Sequence, residues 1–130
     1  MSQYKVLVVD DEEDFLETIV NRFNKRGITA KGANSGKTAL DLLQKESFDI
    51  VILDVKMPEM DGIQVLKKIK LKWPDVEVIM LTGHASVELG IEGMEYGAYD
   101  YVMKPTKLDI LISKMNKAYE RKLIRTGQKN

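Results

Sequence analysis

The sequence predicts one doubly wound α/β domain, in which a five-stranded parallel sheet has helices on both faces. Five apolar segments alternate along the chain with five segments of helical periodicity, and this alternation requires right-handed crossovers between parallel strands. The apolar segments read as continuous runs, as at residues 50–53, and strands covered on both faces need such runs. The 130 residues suffice for one ordinary domain but not for two.

The composition excludes several classes of protein and of site. Lysine plus arginine and aspartate plus glutamate number 20 each, so no net positive field draws the chain to nucleic acid or to an anionic membrane. Without cysteine, neither a disulfide framework nor a thiolate metal site is possible. No apolar run approaches a membrane span, and the amino terminus enters a strand without a secretion signal. We therefore expect a cytoplasmic protein that contacts neither nucleic acid nor membrane directly.

The first third of the chain predicts two strands around an amphipathic helix. Residues 4–9 form a buried strand that runs into an acidic segment at residues 10–14, where negative charge favours the start of a helix. Helical spacing then places four apolar residues on one face: Leu16, Ile19, Val20 and Phe23. Gly27 can end this helix. Residues 28–33 form a second strand, whose polarity indicates an edge of the sheet.

The middle of the chain predicts two helices around the central strand. Ser35 can cap the first of them, and its inward residues are Ala39, Leu42 and Leu43. Residues 49–54 form the third strand. The helix after Gly62 ends at Pro74, and its outward face carries four lysines: Lys67, Lys68, Lys70 and Lys72. We interpret these lysines as a solvated helix face.

The last third predicts two strands and two unequal helices. Residues 76–81 and 98–103 form the fourth and fifth strands. The helix between them contains Gly90 and Gly93, each of which costs roughly 1 kcal/mol against alanine, so it should be the least stable helix. The long fifth helix has five apolar residues in register: Leu108, Leu111, Ile112, Met115 and Tyr119. We assign residues 1–125 to the domain and residues 126–130 to a polar tail.

Three aspartates are expected to meet at one edge of this sheet. In the strand order 2-1-3-4-5, which we predict, the order reverses between the first and third strands, where α/β sheets bind ligands. The carboxyl ends of those strands carry Asp10, Asp11 and Asp54. Like charges at short range cost stability unless something neutralises them, and Mg²⁺ with its oxygen ligands is the simplest neutraliser. We interpret the next three acidic residues as merely capping the first helix: Glu12, Glu13 and Asp14.

Thr82 and Lys104 follow the fourth and fifth strands and are therefore expected at the same edge. Thr82 offers a hydroxyl donor, and Lys104 offers a compact cation on a flexible stem. Each is weak alone, because a threonine after a strand usually caps something and a lysine before proline is usually exposed. Together with Asp54 and the acidic pair, they supply the nucleophile, metal site, donor and cation that phosphoryl transfer onto a carboxylate requires.

Four segments around these residues form a distinctive set: VVDD at 8–11, ILDVKMPEMDG at 52–62, LTGHA at 81–85 and GAYDYVMKP at 97–105. On these segments, the whole chain resembles the receiver domain of two-component response regulators. Every signature position of the family is filled. The resemblance implies a flavodoxin-like (βα)5 fold and a signalling domain rather than a conventional enzyme. It also implies that Asp54 accepts a phosphoryl group from a sensor histidine kinase or a phosphotransfer protein.

Further roles follow from the resemblance. Four ligands would hold Mg²⁺: Asp10, Asp11, Asp54 and the backbone carbonyl of Lys56. Thr82 would bond a phosphoryl oxygen, Lys104 would pair with the phosphate, and the peptide bond between Lys104 and Pro105 would be cis. Lys56 and His84 would flank the path of the hydrolytic water and so set the phosphoryl lifetime, unless they are merely exposed loop residues.

The resemblance also implies a route by which the signal leaves the site. Thr82 would move toward the phosphoryl oxygen, and the ring of Tyr101 would rotate into the vacated space. The surface of the fourth helix, fifth strand and fifth helix would then serve a downstream effector, an output domain or a homodimer. Gly90 and Gly93 suit a helix with two packings of similar energy, and they suit close helix approach equally well.

Three other functions compete with this interpretation. A haloacid-dehalogenase-type phosphatase also uses an aspartate nucleophile and Mg²⁺, but its nucleophile lies on the first strand and its acidic pair comes later. A nucleotide- or flavin-binding module would need glycine, serine or threonine where the first loop is acidic. A scaffold that works without phosphorylation would not need the complete set of acidic residues, Thr82 and Lys104.

Overall fold

The computed structural model describes residues 3–127, and within them strands and helices alternate from β1 to α5. Their bounds are β1 Lys5–Val9, α1 Glu13–Lys25, β2 Thr29–Ala33, α2 Gly36–Lys45, β3 Ile50–Asp54, α3 Gly62–Lys72, β4 Glu77–Thr82, α4 Val87–Glu95, β5 Asp100–Met103 and α5 Leu108–Thr126. A single 3₁₀ turn, His84–Ser86, precedes α4. The predicted series of elements is confirmed, with strand ends shifted by one or two residues.

The sheet has the predicted order, β2-β1-β3-β4-β5, and all four pairings are parallel. Asp54 stands opposite Leu81, and Thr82 stands opposite Met103. The carboxyl ends of the strands therefore lie at one edge, as parallel pairing dictates. The edge position of β2 is also confirmed, and only Ala30 and Ala33 of this strand are buried.

Two hydrophobic clusters cover the two faces of the sheet, and this confirms the inference from continuous apolar strands. One cluster joins Val8, Ile52 and Leu81 of the strands to α1 and α5. The other joins Val9, Leu53 and their neighbours to α2 and α3, while α4 contributes a partly buried leucine. Successive residues of one strand thus face opposite layers. The β3 strand is buried along its whole length, so Asp54 is held at a rigid strand end.

Several helix ends follow the sequence-based expectations. Ser35 caps α2, because its hydroxyl accepts a hydrogen bond from the Thr38 N–H at 3.1 Å. Gly27, with φ of +83°, follows the end of α1. The α5 helix continues to Thr126, and its Leu123 is buried. The boundary between the domain (residues 1–125) and the tail (residues 126–130) stays a prediction. Residues 1–2 of the predicted domain and residues 128–130 of the predicted tail lie outside the described residues.

At Lys70, the structure corrects the interpretation of α3 as a helix with four solvated lysines. The expectation of four outward lysines fails here because the Lys70 side chain is partly buried and its Nζ donates to the carbonyl oxygens of Pro74 and Val76, each at 2.9 Å. Burial lowers the pKa of Lys70, and the charge of Glu77 opposes that change. Lys70 therefore fixes the loop between α3 and β4.

None of the helices within residues 3–127 combines the length and apolarity needed to cross a membrane.

Candidate functional site

Three aspartates converge at the carboxyl edge of the sheet, between β1 and β3. Asp10 follows β1 directly and is fully buried, Asp54 ends β3 and is 7% exposed, and Asp11 lies exposed at the rim. One oxygen of each carboxylate lies within 4.8 Å of the other two. The structure therefore brings together the three residues that the strand order predicted.

The two oxygens of Asp10 have different environments. Oδ1 accepts a hydrogen bond from the Glu12 backbone N–H at 2.9 Å. Oδ2 accepts none from the described residues, although the Lys104 ammonium lies 2.6 Å away as an ion pair. Burial raises the pKa of Asp10, and the contact with Lys104 opposes that rise. Asp10 thus presents a buried oxygen with an incomplete set of partners toward the cleft.

Asp54 is the second buried carboxylate, and its Oδ1 accepts a hydrogen bond from the Lys56 backbone N–H at 3.2 Å. Its Oδ2 lies 3.9 Å from Lys104 Nζ. Burial, together with the negative charge of Asp10, raises the pKa of Asp54 to about 7, although the charge of Lys104 opposes this rise. The ionised form that a nucleophile requires is consequently disfavoured while Lys104 is the cation that pairs with Asp10 and Asp54 among residues 3–127.

The donor set fits a hard divalent cation. It offers carboxylate oxygens from three residues. One of these oxygens, Asp10 Oδ2, accepts no hydrogen bond from the described residues, and the cleft has an excess of negative charge. Magnesium accepts such oxygen ligands and retains several waters. A divalent cation would also favour the charged form of Asp54, which burial disfavours. Asp10, Asp11 and Asp54 are therefore the side chains that could hold Mg²⁺.

We expect the stability difference between Asp54→Asn and the parent to depend on pH when divalent cations are absent. Because the pKa of Asp54 rises from 3.8 to about 7 on folding, the folded parent retains a proton that the unfolded chain releases. The stability from that proton is fully present below about pH 4 and is lost as the pH rises to about 7. Asparagine has no such loss, so the variant should gain stability relative to the parent across this window.

Urea unfolding in the presence of a chelator, from about pH 4 to about pH 8, measures this difference. Asp41→Asn, at an exposed position of α2, is the matched control. A difference between Asp54→Asn and the parent that does not change with pH would contradict the raised pKa.

Lys104 brings a positive charge into the cleft from the end of β5. Its backbone N–H donates to the Thr82 carbonyl oxygen at 2.7 Å, and its peptide bond to Pro105 is cis, as the resemblance implied. The ammonium group contacts Asp10 and the Glu12 carboxylate, the latter at 2.9 Å. Burial acts to lower the pKa of Lys104, but its contacts with Asp10 and Glu12 outweigh burial and raise it. Lys104 is therefore charged beside Asp54.

Glu12 differs from its predicted role. It stands at the N-cap position of α1, yet within the described residues its side chain caps no helix N–H. Its carboxylate reaches Lys104 instead. The contact joins residues 92 positions apart, so the local charge pattern near α1 held no signal for it.

Thr82 ends β4 with a fully buried side chain. Its Oγ1 lies 3.0 Å from the Gly83 carbonyl oxygen and 3.2 Å from Ser86 Oγ. Ser86 is buried, and the sequence interpretation did not include it. The available signal was a serine just before a helix, which usually indicates a cap, but this serine makes no capping hydrogen bond in the described chain.

Tyr101 lies beside Thr82, with α4 packed against both. A Cβ atom at Gly90 would be 3.1 Å from Thr82 Cγ2 and from Tyr101 Cβ. At Gly93 it would be 2.9 Å from Met80 Cγ. Both glycines therefore permit close approach of α4 to the sheet, and the alternative of two helix packings stays a prediction.

Lys56 and His84 lie on the loops that follow β3 and β4, and the side chains of both are exposed. The Lys56 backbone is tied to Asp54 through the hydrogen bond described above. His84 begins the 3₁₀ turn that contains Ser86. Both residues are near the ends of site-bearing strands, so they remain candidates for contact with a group on Asp54.

Comparison with known proteins matches the response regulator receiver domain family over residues 6–116. The chain is 40% identical over 107 residues to the regulatory protein AtoC of Escherichia coli, which covers 82% of this chain and 23% of AtoC. It is 39% identical over 113 residues to the transcriptional regulatory protein ZraR of Escherichia coli, covering 87% of this chain and 26% of ZraR. The chain therefore spans about a quarter of the length of these relatives.

Solved structures agree with the sequence comparisons. The receiver domain of NtrX from Brucella abortus superposes with a TM-score of 0.84 at 32% identity, covering 88% of this chain and 98% of that one. A response regulator receiver domain protein from Clostridium thermocellum gives 0.88 at 34% identity, covering 95% and 98%. The family match over residues 6–116 includes Asp10, Asp54, Thr82 and Lys104. The chain belongs to the response regulator receiver domains, the flavodoxin-like signalling domains of two-component systems.

Proposed function

We propose that this domain accepts a phosphoryl group on Asp54 from a sensor histidine kinase or a phosphotransfer protein, in a reaction that requires Mg²⁺. The observation that carries the proposal is the convergence of three carboxylates and the Lys104 ammonium at the end of the parallel sheet. Asp10, Asp11, Asp54 and the backbone carbonyl of Lys56 are the proposed ligands. Bound Mg²⁺ would neutralise charge on the carboxylates and on the transferred phosphoryl group.

Asp54, Lys104 and Thr82 have separate roles in the proposed phosphoryl transfer. A carboxylate oxygen of Asp54 forms the bond to phosphorus while the bond from phosphorus to the donor's imidazole nitrogen breaks. Lys104 Nζ, now 3.9 Å from Asp54 Oδ2, pairs with a phosphoryl oxygen. Thr82 donates a hydrogen bond from its hydroxyl to another phosphoryl oxygen and gives up its contacts with Gly83 and Ser86.

The proposed output is a change in the surface formed by α4, β5 and α5. Movement of Thr82 would open space for the ring of Tyr101, which is partly buried beside it. The same surface exposes three apolar side chains: Ile91, Met94 and Ile110. Exposed apolar residues in a group suit a protein partner, and we assign this surface to a downstream effector, an output domain or a second copy of the chain.

Intact mass after incubation with acetyl phosphate tests the proposal. We expect the parent to gain one phosphoryl group only when Mg²⁺ is present, and to lose it on treatment with hydroxylamine, as an acyl phosphate should. Asp54→Asn should gain none, because its amide is a poor nucleophile. Asp41→Asn is the matched control and should behave as the parent. If neither acetyl phosphate nor a histidine kinase adds a phosphoryl group, the domain works as a scaffold without phosphorylation.

The lifetime of the phosphoryl group provides a second prediction. We expect Lys56→Ala to shorten it by about two- to fivefold, because an ammonium group paired with the phosphate slows attack by water. We expect His84→Ala to change the lifetime as well, since an imidazole at this loop can orient or obstruct water. Decay of the phosphorylated protein after donor removal gives both values. Decay rates equal to that of the parent in both variants would show that these side chains are only exposed loop residues.

A further inference from the structure

Glu12 has a contact that the proposed phosphoryl transfer does not use. Its carboxylate is 67% exposed, does not cap α1, and lies 2.9 Å from Lys104 Nζ. The ring of Phe15, one turn farther along α1, lies 4.4 Å from the same ammonium group. Lys104 is thus in contact with Glu12 and Phe15 at the start of α1 and with Asp10, although it follows the end of β5.

The contact with Asp10 conflicts with the proposed metal site. When Asp10 serves as a metal ligand, its Oδ2 is no longer fully available to the ammonium group 2.6 Å away, and two cations then share one small cleft. The Lys104 backbone is fixed by its hydrogen bond to the Thr82 carbonyl, so only the side chain can adjust. Among the described residues in ionic contact with Lys104, Glu12 is the carboxylate outside the proposed ligand set.

We propose that Glu12 is a positioning residue that holds Lys104 at the edge of the cleft while Asp10 binds the metal. The inference rests on the proposed function, since it concerns Mg²⁺ at Asp10. Glu12 retains one ion pair of Lys104 when the pair with Asp10 weakens, and so reduces the cost of placing the metal beside an ammonium group. It also keeps the ammonium close to Asp54, where a phosphoryl oxygen will need it.

The test is Mg²⁺ affinity in the absence of any phosphoryl donor, measured by calorimetry or by amide chemical shifts near Asp54. We expect Glu12→Gln to weaken Mg²⁺ binding about fivefold, the upper range for one exposed ion pair. Glu13→Gln is the matched control, because Glu13 carries the same charge one residue away and contacts Asn34 instead of Lys104. Its effect should be smaller and should represent charge at a distance.

A double-mutant cycle with Lys104→Met separates the ion pair from general charge. In the Lys104→Met background, the effect of Glu12→Gln should shrink to that of Glu13→Gln. An effect of Glu12→Gln that equals Glu13→Gln in the parent background, persists without Lys104, or tightens Mg²⁺ binding would overturn the inference. A parent that binds no Mg²⁺ would instead overturn the proposed metal site, so the two failures are distinguishable.

Discussion

Gly62→Ala should destabilise the domain by about 3 kcal/mol, the upper range for overpacking a rigid site. Gly62 is the first residue of α3, and its N–H donates to the Val55 carbonyl at 3.0 Å. A methyl group at this position would overlap the carbonyl oxygen of Asp54 and lie 2.7 Å from the Cα atom of Val55. Both are backbone atoms of the chain leaving the buried strand β3, so they cannot yield as a flexible side chain does.

Urea unfolding, followed by the fluorescence of Trp73, measures this cost. Gly83→Ala is the control, because Gly83 has φ of −84° and, apart from Gly83 and its two chain neighbours, no atom of the described chain lies within 4 Å of a Cβ built there. The control should change the free energy of unfolding by less than about 1 kcal/mol. Stability of Gly62→Ala close to that of the parent would show that the loop can move away from α3. Folded Gly62→Ala should also accept phosphate more slowly, because relief of the overlap displaces Asp54.

The features that sequence predicted well are those set by periodicity and by chain direction. Continuous apolar runs indicated strands buried on both faces, and the two hydrophobic clusters bear this out. The side chains that follow parallel strands meet at one edge, which is why Asp10, Asp54 and Lys104 could be placed together before their distances were known. Chain direction does not depend on the details of side-chain packing.

The features that sequence missed depend on contacts between distant residues. Lys70 was assigned to a solvated face from helical spacing, but the loop that follows α3 turns back and covers its ammonium group. Glu12 was assigned to the start of α1, yet its partner lies 92 residues away. The sequence did not reveal the role of Ser86 either, because that role depends on its contact with the Thr82 hydroxyl. A charged or hydroxyl side chain can suit several environments, and only the packing of the folded chain selects one.

Glu77 is the clearest example, because it is a fully buried carboxylate at the first position of β4, directly before four apolar residues. At the opposite edge of the sheet from Asp54, its Oε2 accepts hydrogen bonds from Arg121 Nε at 2.8 Å and Arg125 Nη1 at 2.9 Å. The two arginines come from α5, and their side chains are 43% and 37% exposed. The buried Glu77 carboxylate therefore depends on the two arginines for its ion pairs, whereas each partly exposed arginine can be hydrated by water instead.

We expect the double variant Arg121→Met, Arg125→Met to lose about 3 kcal/mol of stability, because it leaves the Glu77 carboxylate without its hydrogen-bonded cations. Each single variant should lose about 1 kcal/mol, since the other arginine still pairs with Glu77. The double loss should therefore exceed the sum of the single losses, which urea unfolding measures directly.

Adding Glu77→Gln to the double variant separates the buried charge from the lost packing of the arginines. Glutamine has nearly the same shape but no charge to leave unpaired. The triple variant should therefore regain much of the stability that the double variant loses beyond the sum of the two single losses. The Arg125 contact with the Asp75 carbonyl is absent from both the Arg125 single variant and the double variant, and it cancels in the cycle. Additive losses without recovery would mean that water or Lys70 compensates Glu77, and that α5 is held to β4 by its apolar residues alone.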